Sequence, residues 1–457
     1  MMHQENPTTK FLLLLFQRLS KRNITYCILR NYENLPDKVG NDIDIWIKDG
    51  EQGRCQECLF ETAKENNWEL VKYSSRPSLK GEGDYFYANN ENDLTIIHLD
   101  CWTYLYWRGL SYIDEDSIPS NLTLHKNGFW KPAEGIEASI LLLKDLLYHK
   151  NIPDKYRKRI HDFTTQDAEN FVHAIQKPFG KMVSNSIVDA IKNTNWEALE
   201  KDAKPLRRLL IKRGILKNPL SQIKKWIIYL YSYLKKYLFP CNGVFLVLIG
   251  PDGSGKSTTA NNLLNVEIRK LFQKKQYFHG HFSFLPELKQ IFSFVKQDNR
   301  INVPNIAYEV PHNEIKPFGV FRAIIYPLYY GIDYFLGHFV IWIEKARGGL
   351  VLFDRYFYDY FIQKPYENCP RWLLLLIAKI IPTPDILIFL KNDPETIHDR
   401  KPELTGEEIV RQSKICDEIV KRSKNGFVIE TSLSPDEVVR QIQGIIVDKI
   451  RQKAKRV

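Results

Sequence analysis

The stretch from Val244 to Asn262 constrains the fold of this chain more than any other part of its sequence. Residues 244–249, VFLVLI, are all apolar, which predicts a buried strand of a parallel sheet. The strand leads directly into Gly250-Pro-Asp-Gly-Ser-Gly-Lys-Ser257, which fits the pattern G-x-x-x-x-G-K-[ST]. The residues after Ser257 are compatible with a helix. A strand, a glycine-rich turn and a helix in this order predict a phosphate-binding loop at the end of a strand.

Each part of this loop has a chemical role toward phosphate. The glycines let successive backbone N–H groups turn toward phosphate oxygens, and the helix start adds its positive end. Lys256 can reach the β- and γ-phosphates, and the hydroxyl of Ser257 can bind Mg²⁺. The sequence therefore predicts a site for a nucleoside triphosphate together with Mg²⁺. The residues predicted to bind the nucleotide are Gly250, Asp252, Gly253, Ser254, Gly255, Lys256, Ser257 and Thr258.

The length of the chain limits the number of domains, and its net charge indicates the kind of molecule that it binds. With 457 residues the chain is too long for one ordinary core, so we expect two or three domains. The net charge of +11 suggests anionic partners, such as nucleotides or an acidic membrane surface. Because the sequence contains no polybasic tail or arginine-rich arm, we do not expect it to bind nucleic acid.

The spacing of the cysteines and the length of the apolar runs indicate the cellular compartment of the protein. The seven cysteines are scattered, and Cys55 with Cys58 forms a C-x-x-C inside a segment that looks helical. We therefore interpret these two as helix residues and not as zinc ligands. The apolar run 11–16 is too short for a signal peptide, and the run 318–343 carries charged residues that favour a buried helix over a membrane span. We expect a cytoplasmic protein.

Three aspartates in the first part of the chain have the spacing of a metal site. The segment 41–47, NDIDIWI, alternates polar and apolar residues, as a half-buried strand does. That period of two places Asp42 and Asp44 on one face. A later predicted strand, 94–100, ends in Asp100. Three carboxylates on neighbouring strands can hold two Mg²⁺ ions for an attack on a nucleotide α-phosphate.

Residues 23–125 resemble the nucleotidyltransferase superfamily of the DNA polymerase β type. The resemblance rests on LRNYENLP, on DIDIWI and on the later HLDCW. It implies that Asp42 and Asp44 are the paired metal ligands and Asp100 the third carboxylate. This sequence departs from the superfamily where Arg30-Asn31 replaces the Gly-Ser pair that holds the triphosphate. A nucleotidyltransferase and a nucleotide-sensing or assembly module both remain open for this part.

In the middle of the chain, the sequence pattern predicts helices followed by a basic linker. Residues 126–203 have helical patterns with apolar faces and no visible chemistry. Residues 204–239 carry ten lysines and arginines, no acid, and a central run of aromatic residues. We expect an interdomain helix with snorkelling lysines, and contact with an anionic membrane surface is the alternative. The predicted domains are 1–125, 126–203, 204–239 and 240–457.

The last part of the chain has the pattern of a doubly wound parallel sheet. Strands are predicted near 276–279, 349–353, 386–390 and 427–430, with helical segments between them. In such sheets, ligands bind at the carboxyl ends of the strands, where the glycine-rich loop and Asp354 both fall. The predicted class is therefore α/β, with this doubly wound domain preceded by an α+β domain and a helical segment.

Residues 242–450 resemble the thymidylate kinase family of P-loop kinases. This resemblance implies that Asp252 binds the 3′-hydroxyl of the acceptor, that Asp354 lies near the metal and phosphates, and that Arg355, with Tyr356, binds the acceptor. It also implies a lid whose Arg400, and Arg411 as a further candidate, close on the transferred phosphoryl group. The predicted catalytic residues are Lys256, Asp354, Arg355 and Arg400, with Ser257 and Asp354 as metal ligands. The motifs are Gly250–Thr258, Phe353–Tyr356, Pro384–Leu390, Asp393–Glu395, Arg400-Lys401 and Glu430–Ser434.

This sequence departs from ordinary thymidylate kinases around the acceptor. The usual Arg-Glu-Pro-Gly after the second strand is replaced by the segment 279–286, HGHFSFLP. After Arg355 the chain continues as Tyr-Phe-Tyr-Asp359-Tyr, without the familiar serine and glutamine. We expect ATP- and Mg²⁺-dependent transfer of phosphate to dTMP or a related monophosphate. The alternatives are a sugar or other hydroxyl acceptor, with Asp252, Asp354 or Asp359 as base, or nucleotidyl transfer by the first domain.

Overall fold

The chain forms two compact units, Met1–Lys235 and Lys236–Val457, which are described separately. The computed structural model describes residues 6–75, 82–89, 93–114, 116–217, 219–238, 243–265, 267–288, 316–402 and 404–454.

The first unit is built on a mixed five-stranded sheet. Its order is β1-β2-β5-β4-β3, in which β2 and β5 are parallel and the other neighbours are antiparallel. Two short hairpins, β6 with β7 and β8 with β9, follow the sheet. The strands are β1 Tyr26–Ile28, β2 Ile43–Ile47, β3 Glu69–Ser75, β4 Gly83–Asn89, β5 Thr95–Trp102, β6 Tyr106–Trp107, β7 Leu110–Ser111, β8 Leu122–Leu124 and β9 Trp130–Pro132.

Helices cover both faces of this sheet. Ile43, Ile45 and Ile47 of β2 share an apolar core with α1 and α2, whereas Trp46 belongs to the core formed by the later helices. All five residues of β2 are therefore buried, and the half-buried strand expected from its alternating pattern is covered on its polar face too. The helices are α1 Pro7–Lys21, α2 Gln52–Glu65, α3 Glu134–Tyr148, α4 Asp154–Gln166, α5 Ala168–Phe179, α6 Lys181–Lys192, α7 Trp196–Lys201, α8 Ala203–Lys217 and α9 Pro219–Leu238.

The second unit contains a parallel five-stranded sheet, which confirms the predicted α/β class. Its order is β11-β12-β10-β13-β14, and every neighbouring pair is parallel. The strands are β10 Val244–Ile249, β11 Lys275–His279, β12 Leu350–Asp354, β13 Ile386–Lys391 and β14 Gly426–Glu430. The helices are α10 Lys256–Asn265, α11 Val320–Ala346, α12 Asp359–Ile362, α13 Arg371–Ile380, α14 Pro394–Arg400, α15 Gly406–Arg422 and α16 Pro435–Ala454.

The central strand β10 is buried on both of its faces. Phe245, Val247 and Ile249 pack into one apolar core with residues of α11 and α13. The alternate residues of the strand are buried as well, so the opposite face is also covered. Burial of each such side chain stabilises the folded state by about 1.5–3 kcal/mol. This packing fixes the position along the sheet at which the strand ends and the glycine-rich loop begins.

Two long apolar helices have exposed faces. The run predicted as a buried helix at 318–343 is helical as α11, and it buries Tyr334 and Ile341 but exposes Phe321 and Phe339. Along α9, apolar side chains that include those of Ile227, Leu230 and Leu234 are also exposed. Within the described residues, no helix combines the length and the apolar content that crossing a bilayer requires. The interdomain and membrane-surface interpretations of 204–239 both stay predictions.

Candidate functional site

The glycine-rich loop lies where the parallel sheet changes its direction of winding. After β10 the chain moves to β11 at one edge, and after β13 it moves to β14 at the other edge. The crevice between β10 and β13 is therefore the place where ligands bind in sheets of this kind. A Cβ atom on Gly250 would lie 2.9 Å from the carbonyl oxygen of Leu390, so the loop passes directly over the end of β13.

The loop depends on glycine at two further positions. Gly253 and Gly255 have φ angles of +91° and +92°, in the left-handed region that other residues rarely adopt. A Cβ atom on Gly253 would also lie 3.2 Å from the carbonyl oxygen of Ile397 at the adjacent helix α14. These positions explain the Gly-x-Gly spacing of the loop on physical grounds.

Lys256 begins α10 and is held inside the loop. Its Nζ donates hydrogen bonds of 2.8 Å and 2.9 Å to the carbonyl oxygens of Gly250 and Pro251. It also lies 3.5 Å from Oδ1 of Asp252. The side chain is only 7% exposed, so its charge acts in a partly desolvated loop. A positive charge of this kind can stabilise a bound phosphate.

Ser257 and Asp354 form the part of the site that fits a divalent cation. The hydroxyl of Ser257 donates a 2.7 Å hydrogen bond to Oδ2 of Asp354. Tyr277 donates to the same oxygen at 3.2 Å. Oδ1 of Asp354 is buried, and no described residue forms a hydrogen bond with it. A serine hydroxyl beside an unsatisfied carboxylate oxygen matches the oxygen ligands that Mg²⁺ prefers, so the residues fit this ion.

Arg355 links the end of β12 to the glycine-rich loop. Its guanidinium donates a hydrogen bond to Oδ1 of Asp252, and its Nη1 lies 4.0 Å from Oδ2 of Asp359. Its φ of +62° is unusual for a residue that is not glycine. Burial opposes ionisation of Asp252, but Lys256 and Arg355 together lower the pKa of its carboxyl to about 2. Asp252 is therefore a permanent anion at neutral pH.

A cavity of about 200 Å³ opens beside the glycine-rich loop. Asp359 lies in its wall and accepts a 3.1 Å hydrogen bond from the amide of Gln363. Burial raises the pKa of Asp359 to about 6, although Arg355 and Lys256 act in the opposite direction. The lining residues are Gly250, Asp252, Asp359, Ile362, Gln363, Lys364, Pro365, Leu404, Thr405, Glu408 and Gln412.

The arginines predicted for the lid have different surroundings. Arg400 is the last residue of α14, and its side chain is exposed to solvent. Arg411 on α15 donates hydrogen bonds of 2.7 Å to Oε2 of Glu408 and to the carbonyl oxygen of Ile362. In this structure, Arg411 therefore attaches α15 to the end of α12. The action of Arg400 on a transferred phosphoryl group stays a prediction.

Tyr356, which was predicted to bind the acceptor, is a core residue. It is 1% exposed, and its hydroxyl donates a 2.7 Å hydrogen bond to the carbonyl oxygen of Pro382. Its ring packs edge-on against Phe245 and Phe353. Because this aromatic cluster takes up the side chain, Tyr356 is not among the described residues that line the cavity, and its acceptor-binding role stays a prediction.

Asp333 is a buried carboxylate whose role the sequence did not reveal. It lies on α11, is 0% exposed, and accepts hydrogen bonds from the backbone N–H groups of Phe282, Phe284 and Leu285 at 2.7, 2.6 and 3.1 Å. These bonds fix the loop after β11. A single aspartate within an apolar helical run was the available signal.

The first unit brings the three predicted aspartates together. Carboxylate oxygens of Asp42, Asp44 and Asp100 lie within 4.8 Å of one another. Asp44 and Asp100 are direct partners across the parallel pair β2 and β5, which explains their proximity. Nε of Arg30 donates a 2.5 Å hydrogen bond to Oδ2 of Asp44, and the guanidinium lies 3.9 Å from Asp42. Three carboxylates in this arrangement fit a divalent cation.

Two further polar groups of this unit involve α3, and the charges of the cluster act on one of them. Tyr32, from the same segment as Arg30, donates a 2.6 Å hydrogen bond to buried Glu137 on α3. Lys144, also on α3, is half-buried, and burial lowers the pKa of its ammonium group. Asp44, Asp42 and Asp100 raise that pKa, so Lys144 is close enough to the cluster for their charges to act on it. Sequence reasoning missed Lys144 because it lies in a helix far along the chain.

The comparisons with known proteins found matches among solved structures. No family model matches the chain, and no curated protein matches it. Among solved structures, the chain is similar to a thymidylate kinase from Candida albicans at 18% sequence identity, covering 46% of this chain and 94% of that kinase, with a TM-score of 0.33. With a TM-score of 0.33, this similarity carries no argument about the acceptor or about the roles of residues.

Proposed function

We propose that the second unit is a phosphotransferase that uses ATP with Mg²⁺. The observation that carries this proposal is the arrangement of Lys256, Ser257 and Asp354 at the winding reversal of a parallel sheet, beside a cavity of about 200 Å³. A phosphate-binding loop next to a separate cavity provides places for a donor and for an acceptor. This is what transfer of a phosphoryl group requires.

The residues of the loop would bind and align the donor. Backbone N–H groups from Gly253 to Ser257 would surround the phosphates, and Lys256 would neutralise charge that develops during transfer. Ser257 and Asp354 would hold Mg²⁺, which supplies charge neutralisation at the phosphates. The chain's own contribution is therefore alignment, desolvation and fixed positive charge.

Two classes of acceptor compete for the cavity. The likeness to thymidylate kinases makes dTMP or a related monophosphate the first acceptor to test, with Asp252 on its 3′-hydroxyl, Arg355 on its phosphate and Arg400 closing from the lid. A sugar or another hydroxyl compound is the second. A monophosphate is already anionic and needs no strong base, whereas a hydroxyl group does.

The test is an assay of ADP formation by the purified full chain with Mg²⁺ and ATP against nucleoside monophosphates, dTMP included, and uncharged hydroxyl compounds. We expect Lys256→Ala to lower acceptor-dependent ADP formation by roughly 10²- to 10³-fold. Lys421→Ala is a matched control, because Lys421 is an exposed lysine near the end of α15 that pairs with Asp417. Equal rates in the Lys256 variant and the wild type would refute the proposed function.

The first unit has a second candidate function, metal-dependent nucleotidyl transfer. The observation that favours it is the cluster of Asp42, Asp44 and Asp100, whose oxygens lie within 4.8 Å of one another. Pyrophosphate release from a nucleoside triphosphate that survives Lys256→Ala but not Asp42→Ala would support it. Metal or nucleotide binding by this unit without pyrophosphate release would favour the sensing role instead.

A further inference from the structure

The cavity beside the glycine-rich loop has walls rich in hydrogen-bond acceptors. The carboxylates of Asp252, Asp359 and Glu408 contribute to its lining. Amide groups and a hydroxyl from Gln363, Gln412 and Thr405 complete the polar part. Among these described lining residues, the only cationic side chain is that of Lys364, which is exposed to solvent. Such a lining suits a ligand with several hydroxyl groups better than a dianionic phosphate.

The arginine that could bind an acceptor phosphate is already engaged. Arg355 donates to Asp252 and lies 4.0 Å from Asp359. Turning its guanidinium toward a phosphate would leave two largely buried carboxylates with less compensation for their lost hydration. Glu408 is likewise held, because Arg411 donates to both of its carboxylate oxygens. A phosphorylated acceptor would therefore face carboxylates whose neutralising partners it had displaced.

Asp359 differs from Asp252 and Glu408 because no arginine donates a short hydrogen bond to it, so its carboxylate can accept a proton from a ligand. Its closest partners are the amide of Gln363 at 3.1 Å and the more distant Arg355. Its side chain is 20% exposed and lies in the cavity wall, so a ligand can reach it. Charged and titratable groups of several neighbouring elements act on Asp359. They are Asp252 of the loop, Lys256 of α10, Asp354 of β12, Arg355 directly after β12, Tyr334 of α11, Tyr360 of α12 and Cys416 of α15.

We propose that the acceptor is an uncharged polyhydroxyl compound of the sugar or polyol class, and that Asp359 accepts the proton of its attacking hydroxyl group. This inference rests on the proposed phosphotransferase function and specifies its acceptor. Asp252, Glu408 and Gln412 accept and donate the remaining hydrogen bonds that orient the compound.

The reaction balances with ATP as the donor. The acceptor oxygen forms a bond to the γ-phosphorus, and the bond between that phosphorus and the β–γ bridging oxygen breaks. The electron pair of the broken bond leaves with ADP, and the hydroxyl proton moves to the carboxylate of Asp359. Burial raises the pKa of Asp359 to about 6, so its carboxylate is a better proton acceptor than that of an ordinary aspartate. Because this pKa lies below 7, most of the group is still ionised at neutral pH.

The experiment measures ADP formation by the full chain with Mg²⁺ and ATP against two panels. One panel contains uncharged pentoses, hexoses, heptoses, polyols and nucleosides, and the other contains nucleoside monophosphates, dTMP included. We expect stimulation by a member of the uncharged panel and none by the monophosphates. Asp359→Asn should lower that rate about 10²-fold or more without changing the affinity for Mg·ATP.

The pH profile separates a base from a structural residue. The wild-type rate should rise as pH increases through about 6, because Asp359 must be ionised, and the residual rate of Asp359→Asn should lack this rise. Asp448→Asn is the matched control, since Asp448 is an exposed residue of α16. Stimulation by a monophosphate alone, or a wild-type rate in Asp359→Asn, would overturn the inference.

The inference and the proposed function fail in different ways. Absence of Mg·ATP binding, measured by calorimetry, would remove the phosphotransferase proposal itself. Binding of Mg·ATP that depends on Lys256, with no stimulation by any uncharged compound, would overturn the acceptor class while leaving the nucleotide site in place.

Discussion

The hydroxyl of Ser257 donates a 2.7 Å hydrogen bond to Oδ2 of Asp354, joining the first turn of α10 to the last residue of β12. Because β10 and β12 are parallel and pair Leu248 with Asp354, the carboxylate lies at the level where the glycine-rich loop begins. The two oxygen groups proposed to hold Mg²⁺ are therefore in direct contact with each other.

Replacing Asp354 by Asn should uncouple nucleotide binding from Mg²⁺. The amide keeps the size of the side chain but removes its charge, so Mg²⁺ should no longer strengthen the binding of ATP. We expect ADP formation to fall roughly 10²- to 10³-fold, a loss of the size seen when one transition-state group is removed. Calorimetric titration of ATP with and without Mg²⁺ measures this, and Asp448→Asn again serves as a control. An Mg²⁺ effect that persists in Asp354→Asn would show that this carboxylate does not hold the ion.

Asp359→Asn should make the protein more stable at neutral pH. Burial raises the pKa of this carboxyl from 3.8 to about 6, so ionised Asp359 costs folding free energy. Asp359 binds its proton more tightly in the folded state than in the unfolded state. The loss of folding free energy is therefore absent below about pH 4, where the group is protonated in both states, grows from about pH 4 to 6, and is constant at higher pH. A shift of this size corresponds to about 2–3 kcal/mol. Thermal unfolding of the variant and the wild type from pH 4 to 8 measures it, and a difference that does not grow over this range would contradict the prediction.

Asp333→Ala should loosen the loop after β11 without unfolding the sheet. Three backbone N–H groups, those of Phe282, Phe284 and Leu285, lose their acceptor in this variant. Each buried donor left without a partner costs about 1–3 kcal/mol. Hydrogen exchange of the full chain, followed by mass spectrometry, should show faster exchange over residues 280–288 and unchanged exchange in β10. Uniform acceleration across the second unit would instead indicate global destabilisation.

Asp44→Asn should abolish divalent metal binding in the first unit. Asp44 is 4% exposed and shares the cluster with Asp42 and Asp100, so its loss removes a third of the ligand charge. Titration with Mn²⁺, followed by electron paramagnetic resonance in an Asp354→Asn background, isolates this site from the second unit. Asp189→Asn, at an exposed position of α6, is the matched control. Full Mn²⁺ binding in the Asp44 variant would exclude the cluster as a metal site.

Arg30→Gln should strengthen binding of Mn²⁺ at the same cluster. The guanidinium of Arg30 donates to Asp44 at 2.5 Å and thereby competes with a metal ion for the same carboxylate oxygen. Removing this charge should tighten Mn²⁺ binding about tenfold, equivalent to about 1.4 kcal/mol. Weaker binding in the variant would mean that Arg30 orders the carboxylates and does not compete for them.

Local sequence patterns predicted the elements of the site, and tertiary packing decided the details. The run 244–249 and its glycine-rich loop predicted β10 and α10, because a continuous apolar run, glycine spacing and helix initiation are local properties. The period of two in 41–47 likewise placed Asp42 and Asp44 on one face. The burial of Tyr356 could not be predicted, because it depends on Phe245 and Pro382, which are distant in sequence. The loop-fixing role of Asp333 was missed for the same reason.

The contacts that assemble the proposed nucleotide site of the second unit join residues that lie far apart along the chain. Ser257 and Asp354 are separated by 97 positions, and Arg355 and Asp252 by 103. Closing such loops costs chain entropy that is recovered only when β10 and β12 have come into register. The loop can thus acquire its working geometry only late in folding, after the central strands have paired. Binding of Mg·ATP would then report completion of folding, and a partly folded second unit would consume no ATP.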